Sequence, residues 1–186
     1  MKTIQTLFIA TLVFTLSTNA QITKGFWLMG GSGSFKSNSS ESIDPISGEI
    51  YLNSNNELHL DPNFGYFIVN KLSLGMKLGF TYYVPDSEAP NSKYYSLGPF
   101  IRYYFLNEDK QINIFIEPSY ERFLKYDGSV NNVSNSFNFK LGNVIFLNES
   151  IGLETSLSYN ILKSEGFKNK TLTLGLGLQI HLKKNK

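Results

Sequence analysis

The chain contains no cysteine, which excludes a disulfide framework, a thiolate metal site and a cysteine nucleophile. It has only two histidines, and charged residues make up 17% of the sequence, against roughly 25% in ordinary soluble domains. Beyond the first twenty residues, no apolar run reaches the 18 or so residues expected of a transmembrane helix. Aromatic residues, by contrast, reach 15%, and there are 15 glycines. This balance points to a β-rich chain whose surroundings are not water.

The charge is also nearly balanced. The 17 basic and 15 acidic residues give a formal net charge of +2. Domains that bind nucleic acid normally carry a strong basic surplus, so no nucleic-acid partner is predicted. A length of 186 residues fits one domain.

The first twenty residues have the layout of a secretory signal peptide. Lys2 gives a basic start, residues 4–16 are mostly apolar, and Thr18 and Ala20 supply the small residues that precede a cleavage site. The apolar stretch is shorter than the roughly 20 residues that span a bilayer as a helix. We therefore predict a cleaved signal at residues 1–20 and a single domain at residues 21–186.

The mature chain alternates bulky apolar residues with small or polar ones, which is the period of β-strands. In residues 72–84, every second position from Leu72 to Val84 is bulky, and the positions between them are mostly Ser, Gly, Lys and Thr. The pattern predicts eight strands, at residues 24–35, 58–68, 72–84, 95–105, 112–120, 137–147, 151–161 and 171–182. The phase is ambiguous in the first strand, where apolar residues are consecutive, and in the sixth, where it is lost near Asn143.

The segments between the predicted strands alternate in length. Tight turns are expected at residues 69–71, 107–110 and 148–150, and longer polar loops at residues 36–57, 85–92, 125–135 and 163–169. An up-and-down meander whose two ends face different surroundings produces such an alternation. The prediction is an all-β, eight-stranded antiparallel barrel.

Volume decides which face of the barrel points outward. An eight-stranded barrel is just wide enough for side chains to fill its interior. The bulky row carries five to seven large residues on most strands, which is more than that interior holds, whereas the Gly-, Ser-, Thr- and Asn-rich row fits. The bulky row is therefore expected to face lipid. Aromatic residues near the strand ends agree with the two girdles of a membrane barrel: Tyr66, Phe67, Tyr82, Tyr83, Tyr94, Tyr95, Phe105, Tyr120, Phe137 and Tyr159.

Residues 62–67 leading into 72–75, and residues 98–105, resemble the small eight-stranded outer-membrane β-barrels of Gram-negative bacteria, the OmpA/OmpX type, within the broad group of outer membrane protein beta-barrel domains. The last strand, with Thr173, Gly175, Leu178 and Ile180, is similar to the assembly signal of that family. The chain departs from the family by ending on the basic segment 183–186 rather than on an aromatic residue. The resemblance implies insertion into outer-membrane lipid by the barrel assembly machinery, with the termini and tight turns in the periplasm and the four long loops outside the cell.

Seven charged residues are predicted to point into the lumen. Unpaired charges would be costly in a narrow interior, so mutual pairing is expected. Arg102 and Glu117 lie on consecutive strands joined by a tight turn, which makes them the first expected pair. The predicted lumen charge network consists of Asp61, Lys77, Arg102, Glu117, Glu121, Lys140 and Glu154.

Three other functions compete with a packed structural barrel. A narrow channel for ions or small solutes would use the same lumen charges. A lipid-modifying enzyme would require a nucleophile with a His and a carboxylate, for which His59, Asp61 and Ser96 are the only candidates near one another. A lipocalin-like binder is suggested only by Gly25-Phe26-Trp27, and the volume argument opposes it.

We therefore expect an outer-membrane barrel with a structural or surface-interaction role, with no catalytic residue, cofactor or metal. The segment 36–57, rich in Ser, Asn and acidic residues, is the predicted contact for an extracellular partner; the alternative is a solvated hairpin extension without a partner.

Overall fold

The computed structural model describes residues 22–43, 50–85, 91–126, 133–164 and 167–183. Each strand is antiparallel to the next, and the last strand pairs with the first, which closes the sheet into a barrel. The predicted eight-stranded up-and-down barrel is thus confirmed. The strands are β1 (Phe26–Ile43), β2 (Ile50–Val69), β3 (Leu72–Pro85), β4 (Ser92–Tyr104), β5 (Ile112–Tyr126), β6 (Val133–Phe146), β7 (Ile151–Ser164) and β8 (Phe167–Lys183).

The predicted signal peptide, residues 1–20, and the end of the basic tail, residues 184–186, lie outside the described residues. Within the described ranges, no helix has the length and apolar character needed to cross a membrane.

The two ends of the barrel differ. One end, here called the turn end, carries the short connections 70–71, 105–111 and 147–150 together with Ile22 and Lys183. The opposite end, the loop end, carries the other four connections. At the turn end, Asn148 Oδ1 accepts hydrogen bonds of 2.8 Å from the backbone N–H groups of Ser150 and Ile151, which fixes the β6–β7 turn.

The bulky row faces outward on every strand, as the volume argument predicts. On β3, Leu74, Met76 and Leu78 are exposed, whereas Ser73 and Lys77 between them are buried. An apolar outer band with a small or polar interior is the arrangement of a barrel in lipid.

The structure also settles the two strands of ambiguous phase. On β1, Trp27 faces outward and Leu28 is buried in the lumen. On β6 the alternation is not lost at Asn143, contrary to expectation. Asn143 belongs to the outward row, where its Oδ1 accepts a 3.0 Å hydrogen bond from Thr155 Oγ1 on β7. The pattern was hard to see because Val144 and Phe146, which face inward, are also apolar.

Residues 36–57 are not the long loop that their composition predicts. β1 and β2 remain paired from Lys36↔Glu57 to Ile43↔Ile50, so most of this segment is a hairpin extension. Strands of 18 and 20 residues exceed the roughly 9–11 that cross a bilayer. When both faces of a strand contact water, its residues need not alternate between apolar and polar. The sequence pattern therefore did not reveal this part of β1 and β2.

An apolar cluster fills the lumen at the turn end, where a mostly small and polar interior was expected. Phe67 belongs to this cluster and not to the outer aromatic girdle in which it was predicted to lie. The backbone N–H of Lys71 donates to Ile22 O at 2.7 Å, which holds the segment before β1 across this end. We call this cluster the apolar floor; it consists of Ile22, Leu28, Phe67, Phe100, Tyr104, Phe115, Val144 and Phe146.

Candidate functional site: the barrel lumen

The centre of the lumen holds a buried cluster of ion pairs. Arg102 on β4 contacts Glu117 on β5 through two of its nitrogens, and its Nε donates to Glu117 Oε2 at 2.5 Å. Lys77 Nζ on β3 lies 2.8 Å from the other oxygen, Glu117 Oε1. All three side chains are almost completely inaccessible to solvent. One carboxylate therefore serves two cations on two different strands.

Glu154 on β7 is the second carboxylate of the cluster. Its Oε2 lies 3.0 Å from Arg102 Nη1, and its Oε1 lies 3.4 Å from Lys140 Nζ. Gln179 on β8 donates to the same carboxylate through Nε2 at 2.5 Å. The ion pairs thus reach from β3 across the lumen to β7, and the Gln179 hydrogen bond extends the network to β8. We call Lys77, Arg102, Glu117, Lys140 and Glu154 the central ion cluster.

The central ion cluster rests on the apolar floor. The guanidinium of Arg102 lies over the ring of Phe115, with its carbon 4.2 Å from the ring centroid, which is a cation–π geometry. Tyr104 OH donates to Gln179 Oε1 at 2.7 Å. The His181 ring packs against Phe146 at a centroid distance of 5.3 Å. Charge and apolar volume together occupy the cross-section of the barrel at this level.

Sequence reasoning missed these supporting residues. Phe67, Phe100, Tyr104 and Phe115 share the parity of the polar row on their strands, and that parity is the signal that would have placed them inside. His181 lies at the turn end of β8, where it is buried beneath the cluster.

Asp61 and Glu121, the other two predicted lumen charges, lie nearer the loop end with other partners. Asp61 Oδ1 is 2.9 Å from His59 Nε2. Glu121 Oε2 accepts a 2.8 Å hydrogen bond from Ser96 Oγ. The structure therefore brings five of the seven predicted charges into one cluster and places the remaining two in separate polar contacts.

The geometry does not assemble His59, Asp61 and Ser96 into a catalytic triad. Both ring nitrogens of His59 are occupied, since Nε2 faces Asp61 and Nδ1 lies 2.6 Å from Thr81 Oγ1. Ser96 directs its hydroxyl to Glu121 instead. No ring nitrogen of His59 is thus left to accept the proton of Ser96, which general-base activation requires. Among the described residues, no group of three His, Asp or Glu is arranged as a metal site.

A cavity of about 340 Å³ occupies the lumen between the central ion cluster and the loop end. Lys140 lies at its base, where Nζ also contacts Ser32 Oγ at 3.4 Å. Most of its wall consists of hydroxyl and amide side chains, with His59 and Asp61 on one side. Its principal polar wall residues are Ser32, Ser34, Thr81, Asn138, Ser156, Ser158, Asn160, Asn169, Thr171 and Thr173.

A closed antiparallel barrel with an apolar outer band and a packed, charged interior defines the class of small membrane-spanning β-barrels. Residues 6–179 match the family described as "Outer membrane protein beta-barrel domain". The chain belongs to that family and is an outer-membrane β-barrel, as the sequence resemblance implied.

Two solved structures show the same fold. Neisserial surface protein A is 17% identical, with a TM-score of 0.53, and the match covers 86% of this chain and 97% of that one. The outer membrane protein OprG from Pseudomonas aeruginosa is 12% identical, with a TM-score of 0.55, and the match covers 87% of this chain and 97% of that one. At these identities the similarity is one of fold. No curated protein matches the chain.

Proposed function

We propose that this protein is a non-conducting, non-enzymatic outer-membrane barrel. Its role is structural within the membrane and one of surface interaction outside the cell. The observation that carries the proposal is the stacking of the central ion cluster on the apolar floor. Arg102 and Glu117 are fully buried at this level, and the ring of Phe115 packs against the guanidinium of Arg102. An ion crossing the lumen would have to separate these pairs, which is costly in a low-dielectric interior.

Single-barrel conductance in a planar lipid bilayer tests this proposal. The wild-type barrel is expected to give no current above that of the bare bilayer. The double variant Arg102→Ser/Glu117→Ser removes one charge of each sign together and is expected to give measurable current. Heat-dependent migration on a gel verifies that both proteins are folded before the comparison. A wild-type current above that of the bare bilayer would contradict the proposal and favour the narrow channel.

The surface role is assigned to the β1–β2 hairpin extension. Its outer row is apolar as far as Phe35 and Leu58, which are exposed. Beyond them, the row continues with Ser37 and Ser39 on β1. A paired ribbon whose sequence is rich in Ser, Asn and acidic residues suits contact with a polar partner outside the cell.

Shortening this hairpin tests the assignment. Replacing residues 38–55 with Asn-Gly, a favourable two-residue hairpin turn, is expected to leave the heat-dependent migration unchanged. It is also expected to slow the settling of cells that display the protein, because contacts between cells are lost. Unchanged settling with a folded barrel would contradict a contact role for the hairpin. Loss of folding would instead assign the hairpin to barrel stability.

A further inference from the structure

The seam between β1 and β8 is paired only in the half of the barrel near the turn end. Its pairs run from Phe26↔Lys183 to Gly33↔Leu176. Beyond this point, the described residues 34–43 of β1 pair with β2 alone, and residues 167–175 of β8 pair with β7 alone. Each other neighbouring pair of strands continues its register much closer to the loop end.

Distances across the seam show that the two strands diverge. In the paired half, a Cβ built on Gly177 would lie 2.7 Å from Gly31 O on β1. Two residues closer to the loop end, a Cβ on Gly175 would meet Ser156 Oγ at 3.0 Å, and no described atom of β1 lies within 4 Å of it. The closed wall therefore opens between these two glycines.

Because the strands diverge, the outward leucines of β8 near the gap are unusually exposed. Leu172, Leu174 and Leu176 are 65%, 80% and 66% exposed, whereas Leu74 and Leu157 on fully flanked strands are 39% and 41% exposed. The β8 leucines lack the cover of a neighbouring strand on one side. Phe35 forms the opposite rim on β1 and is 67% exposed.

The gap lies at the level of the apolar band and leads into the lumen cavity. Leu172 pairs with Tyr159 and Leu174 with Leu157, and all four side chains belong to the lipid-facing row. Residues at the two edges of the gap line the cavity: Ser32, Gly33 and Ser34 on β1, and Asn169, Thr171, Thr173 and Gly175 on β8. A polar chamber and an apolar surface thus meet at an opening in the wall.

We propose that this gap is a lateral port, and that port and cavity together bind a single-chain amphiphile with a neutral or zwitterionic head bearing hydroxyl or amide groups. The alkyl chain leaves through the port along Leu172 and Leu174. The head lies among the hydroxyl and amide side chains of the cavity, whose charged residues are Lys140 and the carboxylates Asp61 and Glu57. Of the described polar atoms, Asn138 Oδ1 and Ser156 Oγ are buried at this wall without a protein hydrogen-bond partner, so a ligand head has groups to satisfy.

Single-cysteine labelling of the full barrel in phosphatidylcholine vesicles tests the port, because the chain has no cysteine of its own. The probe is N-dodecylmaleimide, which partitions into the bilayer. Ser34→Cys, at the port, is expected to react within about tenfold of the rate of Leu78→Cys, which faces lipid, since thiol reactivity follows access. Ser96→Cys, which faces the lumen on the opposite wall and is buried, is expected to react at least about a hundredfold more slowly.

Two outcomes would overturn the port. One is a Ser34→Cys rate as slow as that of Ser96→Cys, which would mean that the seam is closed. The other is labelling of Ser34→Cys by a charged, water-soluble maleimide as fast as by N-dodecylmaleimide, because that would indicate access from water through the loop end. Heat-dependent migration of each variant verifies folding, and Leu78→Cys verifies that the reagent is delivered.

Competition tests the head group. N-dodecanoylethanolamine carries one amide and one hydroxyl on an alkyl chain, and it is expected to slow the labelling of Ser34→Cys without affecting that of Leu78→Cys. Dodecane, which has the chain without the head, is expected to have no effect. Equal competition by dodecane, or no competition by either compound, would overturn the binding site.

Discussion

Arg102 and Glu117 lie opposite each other on β4 and β5, and Arg102 Nε donates a 2.5 Å hydrogen bond to Glu117 Oε2 in the middle of the lumen. The neighbouring register pairs Phe100↔Ser119 and Tyr103↔Ile116 place them directly across the ladder. Because Glu117 also pairs with Lys77 on β3, this one carboxylate connects three adjacent strands from the inside. Its removal affects all of them together.

Glu117→Gln is expected to destabilise the barrel by about 3–5 kcal/mol, since it leaves Lys77 and Arg102 buried with one carboxylate fewer. Urea unfolding of the barrel in lipid vesicles measures the change. Glu149→Gln, an exposed change in the β6–β7 turn, is the matched control and is expected to have little effect. Equal unfolding midpoints for the two variants would show that the cluster does not stabilise the barrel.

Gly98 is expected to tolerate no side chain. A Cβ at this position would lie 1.7 Å from Tyr120 O and 2.7 Å from Glu121 Cα, both on the backbone of β5. Gly98→Ala must therefore push β4 from β5, with a cost of about 1–3 kcal/mol or more. Gly33→Ala is the control, because the nearest contact of its Cβ is the flexible end of Leu60 at 3.3 Å. The fraction that shows heat-dependent migration after refolding is the measurement, and equal fractions would refute the expectation.

A cationic side chain on the outer face is expected to lower the free energy of unfolding more at mid-membrane than at the loop end. Leu78→Arg places a charge in the middle of the apolar row of β3 and is expected to cost about 2–4 kcal/mol. Val84→Arg, at the last position of the same row and next to the final residue of β3, is expected to cost about 0–1 kcal/mol. Unfolding free energies of the two variants in vesicles decide this. Similar small losses at both positions would mean that the bulky row does not face lipid.

The single tryptophan reports on the same face from the other end of the barrel. Trp27 is exposed on the second residue of β1 and packs against Tyr66, with ring centroids 5.0 Å apart. We expect its fluorescence to be quenched by brominated lipids, and more strongly by bromine near the head group than near the chain end, because aromatic residues at strand ends lie at the interface. Quenching that is strongest at the chain end, or a lack of quenching, would contradict this placement.

Much of the barrel could be predicted because alternation reports burial directly. On β3 and β8, one row meets lipid and the other meets a narrow interior, so every second residue is constrained and the phase is readable. β1 and β6 were harder, because Leu28 and Val144 face the apolar floor and break the contrast between rows. The length of β1 and β2 was not predictable, since a ribbon in water places no periodic demand on its side chains.

The contacts of the site also divide into those that could be predicted from the sequence and those that could not. Arg102 and Glu117 could be paired from strand order and turn length, since adjacent antiparallel strands bring such residues opposite each other. The contacts of Glu154 with Arg102 and of Tyr104 with Gln179 cross the lumen between strands that are not neighbours, and strand alternation carries no information about distance across the interior. The divergence of β1 from β8 depends on backbone pairing alone, and Gly33 and Gly175 are no different from the other small residues of the pattern.

The cross-lumen hydrogen bonds have a consequence for the order of folding. Tyr104 on β4 meets Gln179 on β8, and these residues are 75 positions apart in the chain. Until β8 arrives, Glu154 lacks its Gln179 contact and the apolar floor lacks the ring of His181. The interior therefore reaches its full stability only when the last strand has been synthesised and inserted. We expect the barrel to form in a single cooperative step and a chain truncated before β8 to remain unfolded.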